Sequence, residues 1–273
     1  MTSSYLQCNH TIQNAKFRRT SKIQSIKRSP IKAATMKIPG LPLFILGPDF
    51  FPGFTGVLRV FEPRYKQMMD DCIMDSKPFG YISADPAKDE LNGWSQPSDY
   101  GVICYVRDYE ESGSNLIIEV EATSAFVVQN VIQPVLPNLI NCERFPGVEE
   151  LMEEAGGPLD GKLYLRADVE VLAAPDIDYD DGAFEEFANM LVPARQILQM
   201  SSMYKGQILE FMDPGDYKDH VDRADLVWKV CCALCYDAYL QQDMLSQTSF
   251  SSLMDVCANM VTEILLRMEQ EQE

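Results

Sequence analysis

The chain has 273 residues, 46% of them apolar, which is enough for one domain of two parts or two small domains with a real core. It carries 23 Lys and Arg against 41 Asp and Glu, a net charge of −18, and that balance argues against nucleic acid and anionic lipid as partners. No apolar run approaches the roughly 20 residues that a bilayer requires, so no membrane insertion is expected.

Charge is distributed unevenly. Residues 1–40 hold eight Lys or Arg and no acid, and the first acidic residue is Asp49. The remaining 233 residues hold 15 basic and 41 acidic side chains, a net of −26. The first segment, "MTSSYLQCNHTIQNAKFRRTSKIQSIKRSPIKAATMKIPG", is rich in Ser, Thr, Lys and Arg and has no apolar h-region. It reads as an organelle transit peptide over residues 1–36, too polar to fold by itself and so expected to be disordered. The bland alternative is a basic tail of a cytosolic protein. Its Ser and Thr content favours plastid (chloroplast) over mitochondrion, with removal expected within Ser29–Lys37.

From Leu41 to about Val171 the chain reads mainly as strands. "LPLFILG" and "TGVLRVF" are short apolar runs bounded by Pro and Gly. "YGVICYVRDYEESGSNLIIEVEATSAFVVQNVIQP" reads as strands broken at the polar "EESGSN" (110–115), a hairpin connection. In "KLYLRADVEVL" (162–172), Leu163, Leu165, Ala167, Val169 and Val171 alternate with Tyr164, Arg166, Asp168 and Glu170, the period of a half-buried strand.

After Pro175 the period becomes helical. "AFEEFANMLVPARQILQM" spaces Phe184, Phe187, Ala188, Leu191, Ala194 and Leu198 on one face, with Pro193 as a kink or break. A second helix is expected over Arg223–Leu240 and a third over "SSLMDVCANMVTEILLRM", with the Ser/Thr-rich segment before it as a cap. The fold class is therefore α+β with segregated parts: a β-rich part over residues 37–175 and a helical bundle over 176–273.

Four features could carry chemistry. "GGPLDGKL" places Gly156, Gly161 and Lys162 as in a phosphate-binding loop, but Leu163 replaces the Ser/Thr, and a strand follows where a helix is required. A plain turn is the better reading. "DIDYDDG" places Asp176, Asp178 and Asp180 like the start of a calcium loop, yet Asp181 stands where Gly must turn and Phe187 where a Glu must close the site. An acidic loop at a helix N-terminus accounts for it. Cys231, Cys232 and Cys235 cluster, with Cys232–Cys235 formally C-x-x-C, but they lie inside an apolar helical pattern and read as buried thiols. After the leader the only histidine is His220, and neither G-x-S-x-G nor H-E-x-x-H occurs. No catalytic residue, metal or cofactor is indicated.

The stretch "RVFEPRYKQMMDDCI" (59–73) reads as a strand that turns into a helix. Pro63 suits the first helical position, where its missing N–H is harmless. Glu62 complements the positive helix end. Tyr65, Met68, Met69, Cys72 and Ile73 then form one apolar face. "DFFPGF" (49–54) is a Pro/Gly turn bearing three phenylalanines. Phe51 is the natural core residue beside Pro52-Gly53. Phe50 and Phe54 are buried too, or else partly exposed and able to serve as rigid anchors for a polypeptide.

The order "LPLF" (41–44), "FPG" (Phe51, Pro52, Gly53) and "FEPRY" (Phe61, Glu62, Pro63, Arg64, Tyr65) resembles the N-terminal domain of Lon proteases. "KPFGYI", "GVICYV" and "FVVQNVIQP" match its following strands, and "LQQDMLSQTSFSSLMDVCANMVTEIL" resembles its helical half. The strand before Phe-x-Val usually carries Gly and Arg in that family; here "EATSAF" has neither. The resemblance implies a PUA-like β-rich half followed by helices, standing alone without the ATPase and protease domains. It further implies a non-enzymatic polypeptide-binding module, chaperone-like or adaptor; the transit-peptide reading of the first segment places that role in organellar proteostasis. The alternative is a structural or assembly subunit docked on one partner complex. On this reading Glu62, Pro63, Arg64 and Tyr65 hold a corner, with Arg64 paired to a carboxylate across the sheet.

Overall fold

A computed structural model describes residues 36–90, 93–134, 149, 162–205, 209, 217 and 219–270. Apart from Met36, the expected leader lies outside the described residues. In the β-rich part, β1 (Met36–Leu46), β2 (Thr55–Val60), α1 (Pro63–Met74), β3 (Phe79–Ser83), β4 (Tyr100–Ser112), β5 (Asn115–Ile132) and β6 (Arg166–Val171) follow in order. The strand order is β2-β5-β4-β3-β1-β6, and β6 also pairs back onto β5. Five strands thus close a ring, with β2 attached outside it. Among these described strands β1 and β3 pair in parallel, and the other pairings are antiparallel.

The length of β5 makes this closure possible. Its first half, Leu116–Glu121, pairs with β2, and its second half, Phe126–Ile132, pairs with β6. Register shifts in β4–β5 between Val102 and Cys104, and again between Val106 and Asp108, bend the hairpin. The hairpin turn is tighter than the polar stretch 110–115 suggests. Ser112 pairs with Asn115, and Gly113 takes φ +62°, a conformation that glycine adopts without penalty.

Inside the ring lies one core cluster, built on Leu41, Leu43, Ile82, Ile103, Phe126, Leu165, Ala167 and Val169 with Trp94. Phe126 is fully buried, and its ring lies against two glycines. A Cβ at Gly101 would come within 2.6 Å of that ring, and one at Gly80 within 2.8 Å. The alternation expected over 162–172 holds for Leu163, Leu165, Ala167 and Val169, all buried, with Val171 partly buried. Tyr164 is buried as well, on the other face, because its hydroxyl donates to Asp71 at 2.6 Å.

The second core cluster is larger and lies between the outer surface of the strands and the helices. The helical part comprises α2 (Asp181–Leu191), a 3-10 turn (Val192–Ala194), α3 (Arg195–Tyr204), α4 (His220–Leu234), α5 (Ala238–Ser246) and α6 (Phe250–Gln270). Pro193 lies in the 3-10 turn, so it breaks the helical run as expected. Phe184, Phe187, Ala188, Leu191, Ala194 and Leu198 are all buried.

The single helix expected over Arg223–Leu240 is two. α4 stops at Leu234 with Cys235 extended, and Asp237 caps a new helix by accepting from the Leu240 N–H. Lys205 Nζ donates to the carbonyls of Cys232 and Cys235 and so satisfies the end of α4. The apolar period spans the break because both helices face the same core. Ser249 caps α6 as expected, accepting from the Ser252 N–H at 3.3 Å. Among the described residues, no helix is long and apolar enough to cross a membrane.

Candidate functional site

The "DFFPGF" turn is the seam between strands and helices. Gly53 takes φ +84°, and its N–H donates to the Ala122 carbonyl, while the Ala122 N–H donates to the Phe54 carbonyl. From the helical side, Gln241 Nε2 donates to the Phe50 carbonyl and Cys232 Sγ to that of Asp49. Phe50 stacks on Tyr81 at 3.9 Å and on Phe54 at 4.0 Å, while Phe51 packs against Trp228 of α4. Phe50 is 3% exposed and Phe54 6%, so the reading of either as a surface anchor is corrected. Their ring faces are used up by stacking across the seam.

The corner at residues 61–65 also departs from expectation in one contact. Pro63 opens α1 and Glu62 stands at its cap position in an extended conformation. Arg64 does not reach across the sheet. Its Nε lies 2.7 Å from Oε2 of Glu62, two residues earlier, and its guanidinium lies 4.3 Å from the Tyr65 ring and 4.5 Å from that of Trp94. Two aromatic faces hold the side chain at the corner, so its carboxylate partner is local. Tyr65 locks the corner to β1: its hydroxyl donates to the Ile45 carbonyl, accepts from the Ile45 N–H, and its ring stacks on Phe44 at 4.2 Å. Phe61 is 42% exposed.

A pocket of about 420 Å³ opens where the first half of β1, the C-terminal end of α1 and the start of β6 meet. Asp71 organises one wall, accepting from Tyr164 at 2.6 Å and pairing with Lys162 at 2.9 Å. Burial, and then the bond to Asp71, push the Tyr164 phenol upward. Gln67 of α1 accepts from the Leu163 N–H and fixes the approach to β6. Lys77 pairs with Asp75 at 2.7 Å. Arg166 also lines the pocket, and among the described residues its buried Nε has no hydrogen-bond partner. Sequence reasoning missed this place because its residues come from three separated segments that share no motif. Lys162 was visible only as the end of a near-miss phosphate loop. Its partner is Asp71, and residues 156–161 lie outside the described residues.

The aspartates of "DIDYDDG" act on helix ends. Asp180 caps α2 through the Ala183 N–H, and Asp178 accepts from the Ser251 N–H at the start of α6, a bond that holds its carboxyl below the usual range. Among the described residues, no group of three His, Cys, Asp or Glu side chains is placed to hold a metal. His220 opens α4, its ring 6.2 Å from that of Tyr179 with the planes at 68°.

Cys72, Cys104, Cys231, Cys232, Cys235 and Cys257 are free and buried, as the apolar helical pattern suggested for the cluster; Cys8 and Cys142 lie outside the described residues. Cys232 and Cys235 point to different carbonyls, and among the described residues the thiols of Cys231 and Cys257 approach to 3.5 Å. Burial pushes Cys232 up to about 11 and Cys72 and Cys235 up to about 12. Little thiolate therefore exists at neutral pH. In a native thiol titration with an aromatic disulfide at pH 8, these six should stay silent over minutes and react together in guanidinium. Rapid native labelling of Cys232 or Cys235, located by peptide mapping, would contradict the assigned burial.

The family model for the substrate-binding domain of ATP-dependent protease La (LON) matches residues 40–262. The chain belongs to this family. No ATPase or protease domain is evident in the 273 residues. Among solved structures, the N-terminal domain of Mycobacterium avium complex Lon protease is similar at TM-score 0.50 and 11% identity, covering 82% of this chain and 98% of that one. The Lon N-terminal domain protein from Xanthomonas campestris is 18% identical at TM-score 0.49, covering 84% of this chain and 98% of that one. No curated protein matches the chain. The Lon substrate-binding domain match begins inside β1 and ends inside α6, so it takes in the seam, the corner and most of the pocket lining.

Proposed function

We propose that the chain is a non-enzymatic polypeptide-binding module, acting as an adaptor or chaperone-like factor in the quality control of an organelle. The family match carries this reading: the matched domain binds substrates for an ATP-dependent protease, and the substrates of a protease are polypeptides. The organelle rests on the acid-free, Ser/Thr-rich start of the chain, with plastid favoured over mitochondrion.

The test is titration of unfolded polypeptides of opposite net charge into the full chain. Weak, reversible binding is expected, in the micromolar range or above. The charge of −18 should favour basic or neutral clients over acidic ones, and the preference should shrink between about 10 mM and 1 M salt as the Debye length falls. ATP hydrolysis and casein cleavage should stay at background. Absence of binding at high micromolar concentration would overturn the proposal in favour of a subunit docked on one complex. Turnover that survives purification would overturn its non-enzymatic half.

A further inference from the structure

We infer that the pocket between β1, α1 and β6 reads the terminal carboxylate of a bound polypeptide, with Arg166 as its receptor; this rests on the polypeptide-binding reading above. In a chain of net charge −18, the pocket is lined by three cations, Lys77, Lys162 and Arg166, and two acids, Asp71 and Asp75. Its local balance is therefore positive. Low-dielectric walls concentrate such a field.

The acids are already engaged. Asp71 holds Lys162 and Tyr164, and Asp75 holds Lys77. Arg166 makes no ion pair among the described residues, and its Nε is shielded from solvent with no hydrogen-bond partner. A cation left without a counter-charge at a partly buried site is costly, and Arg groups lacking partners are the exception in folded proteins. Nε itself is closed to an atom the size of a carboxylate oxygen, so a carboxylate in the pocket would pair with the terminal nitrogens of the guanidinium and supply that counter-charge.

Both the neighbouring wall and the volume suit a chain end. Ile38, Pro39, Pro42 and Pro78 supply apolar surface, and the three prolines offer no N–H to compete for the anion. Gly40, at φ +62° in the bulge of β1, has its N–H committed to Asp168. A C-terminal apolar residue presents a carboxylate directly beside an apolar side chain, which is the juxtaposition found here. A Glu side chain would instead bring its own backbone amides to the apolar wall. About 420 Å³ falls within the range of small-ligand pockets and accommodates the last few residues of a chain.

Three fluorescent probes of one basic, unstructured sequence separate the outcomes: a peptide ending in a free Leu carboxylate, its C-terminal amide, and an amide with Glu as its last residue. The free acid should bind the full chain about tenfold more tightly than either amide. Arg166→Gln should abolish that difference while leaving amide binding unchanged. Arg166→Lys, which keeps charge but loses the fork, should restore only part of it. Lys77 is largely exposed, so Lys77→Glu should leave the fold intact and still weaken the free acid selectively. Thermal melts of each variant show whether it is folded. If free acid and amide bind equally, the carboxylate role is wrong while polypeptide binding stands. Equal gain from the Glu-ended amide assigns the pocket to acidic side chains and overturns the terminal reading. If no probe binds at high micromolar concentration, both readings fall.

Discussion

Phe50→Ala should destabilise the folded chain by about 3–5 kcal/mol, the range for truncating a buried Phe. The ring is 3% exposed and stacked on both Tyr81 and Phe54, and its own backbone carbonyl holds Gln241 of α5. Truncation would therefore open a cavity where strands and helices meet. For a chain of this size, that loss should lower the melting temperature by roughly 6–20 °C. Phe61→Ala is the internal comparison. Phe61 is 42% exposed at a neighbouring turn, and its truncation should stay within about 0.5 kcal/mol. Urea unfolding of both variants measures the contrast. Equal, small effects would mean that Phe50 is not the packed residue described. Any loss of client binding in Phe50 or Phe54 variants then reports unfolding rather than a lost contact, so those positions cannot be used to map a binding surface.

Gly101→Ala and Phe126→Ala should each be strongly destabilising, and together they should be less harmful than their sum. A methyl at Gly101 would sit 2.6 Å from the Phe126 ring and 2.8 Å from the Tyr81 carbonyl oxygen. Overpacking of that kind costs about 1–3 kcal/mol. Phe126 fills the middle of the closed ring, and its removal should cost about 3–5 kcal/mol. With the ring gone, the new methyl enters space that Phe126 had occupied. Rescue stays incomplete because the Tyr81 carbonyl does not move away. A double-mutant cycle by denaturant unfolding should show coupling on the order of 1 kcal/mol or more. Strict additivity would mean that the glycine is not there to admit the aromatic ring.

The parallel pairing of β1 with β3 and the closure of β6 onto β5 are long-range events, joining residues such as Val131 and Ala167. Neither could be read locally, although the strands themselves could. The same holds for the split between α4 and α5. Asp237 as a cap was present in the sequence, but an apolar period running through it from Leu226 to Ala238 masked the stop. Side-chain periodicity reports which face of an element is buried, not where the backbone changes direction while keeping that face inward.

The strand-then-helix order, the corner at Pro63, the break at Pro193, the Ser249 cap and the family itself were legible in the residues. Each depends on backbone chemistry or a period confined to a few neighbouring positions. Tertiary structure alone decided that Phe50 and Phe54 are sandwiched at a seam, that Arg64 lies between Tyr65 and Trp94 with Glu62 as its partner, and that Asp71, Lys77, Lys162 and Arg166 share one pocket. An exposed and a buried phenylalanine beside a Pro-Gly turn have the same sequence, and only the surface that arrives from elsewhere in the chain separates them. Charged side chains are harder still. They are abundant in this chain, and which of them meet depends on closing loops of about 90 residues between α1 and β6, a choice made by burial of the whole core rather than by the charges themselves.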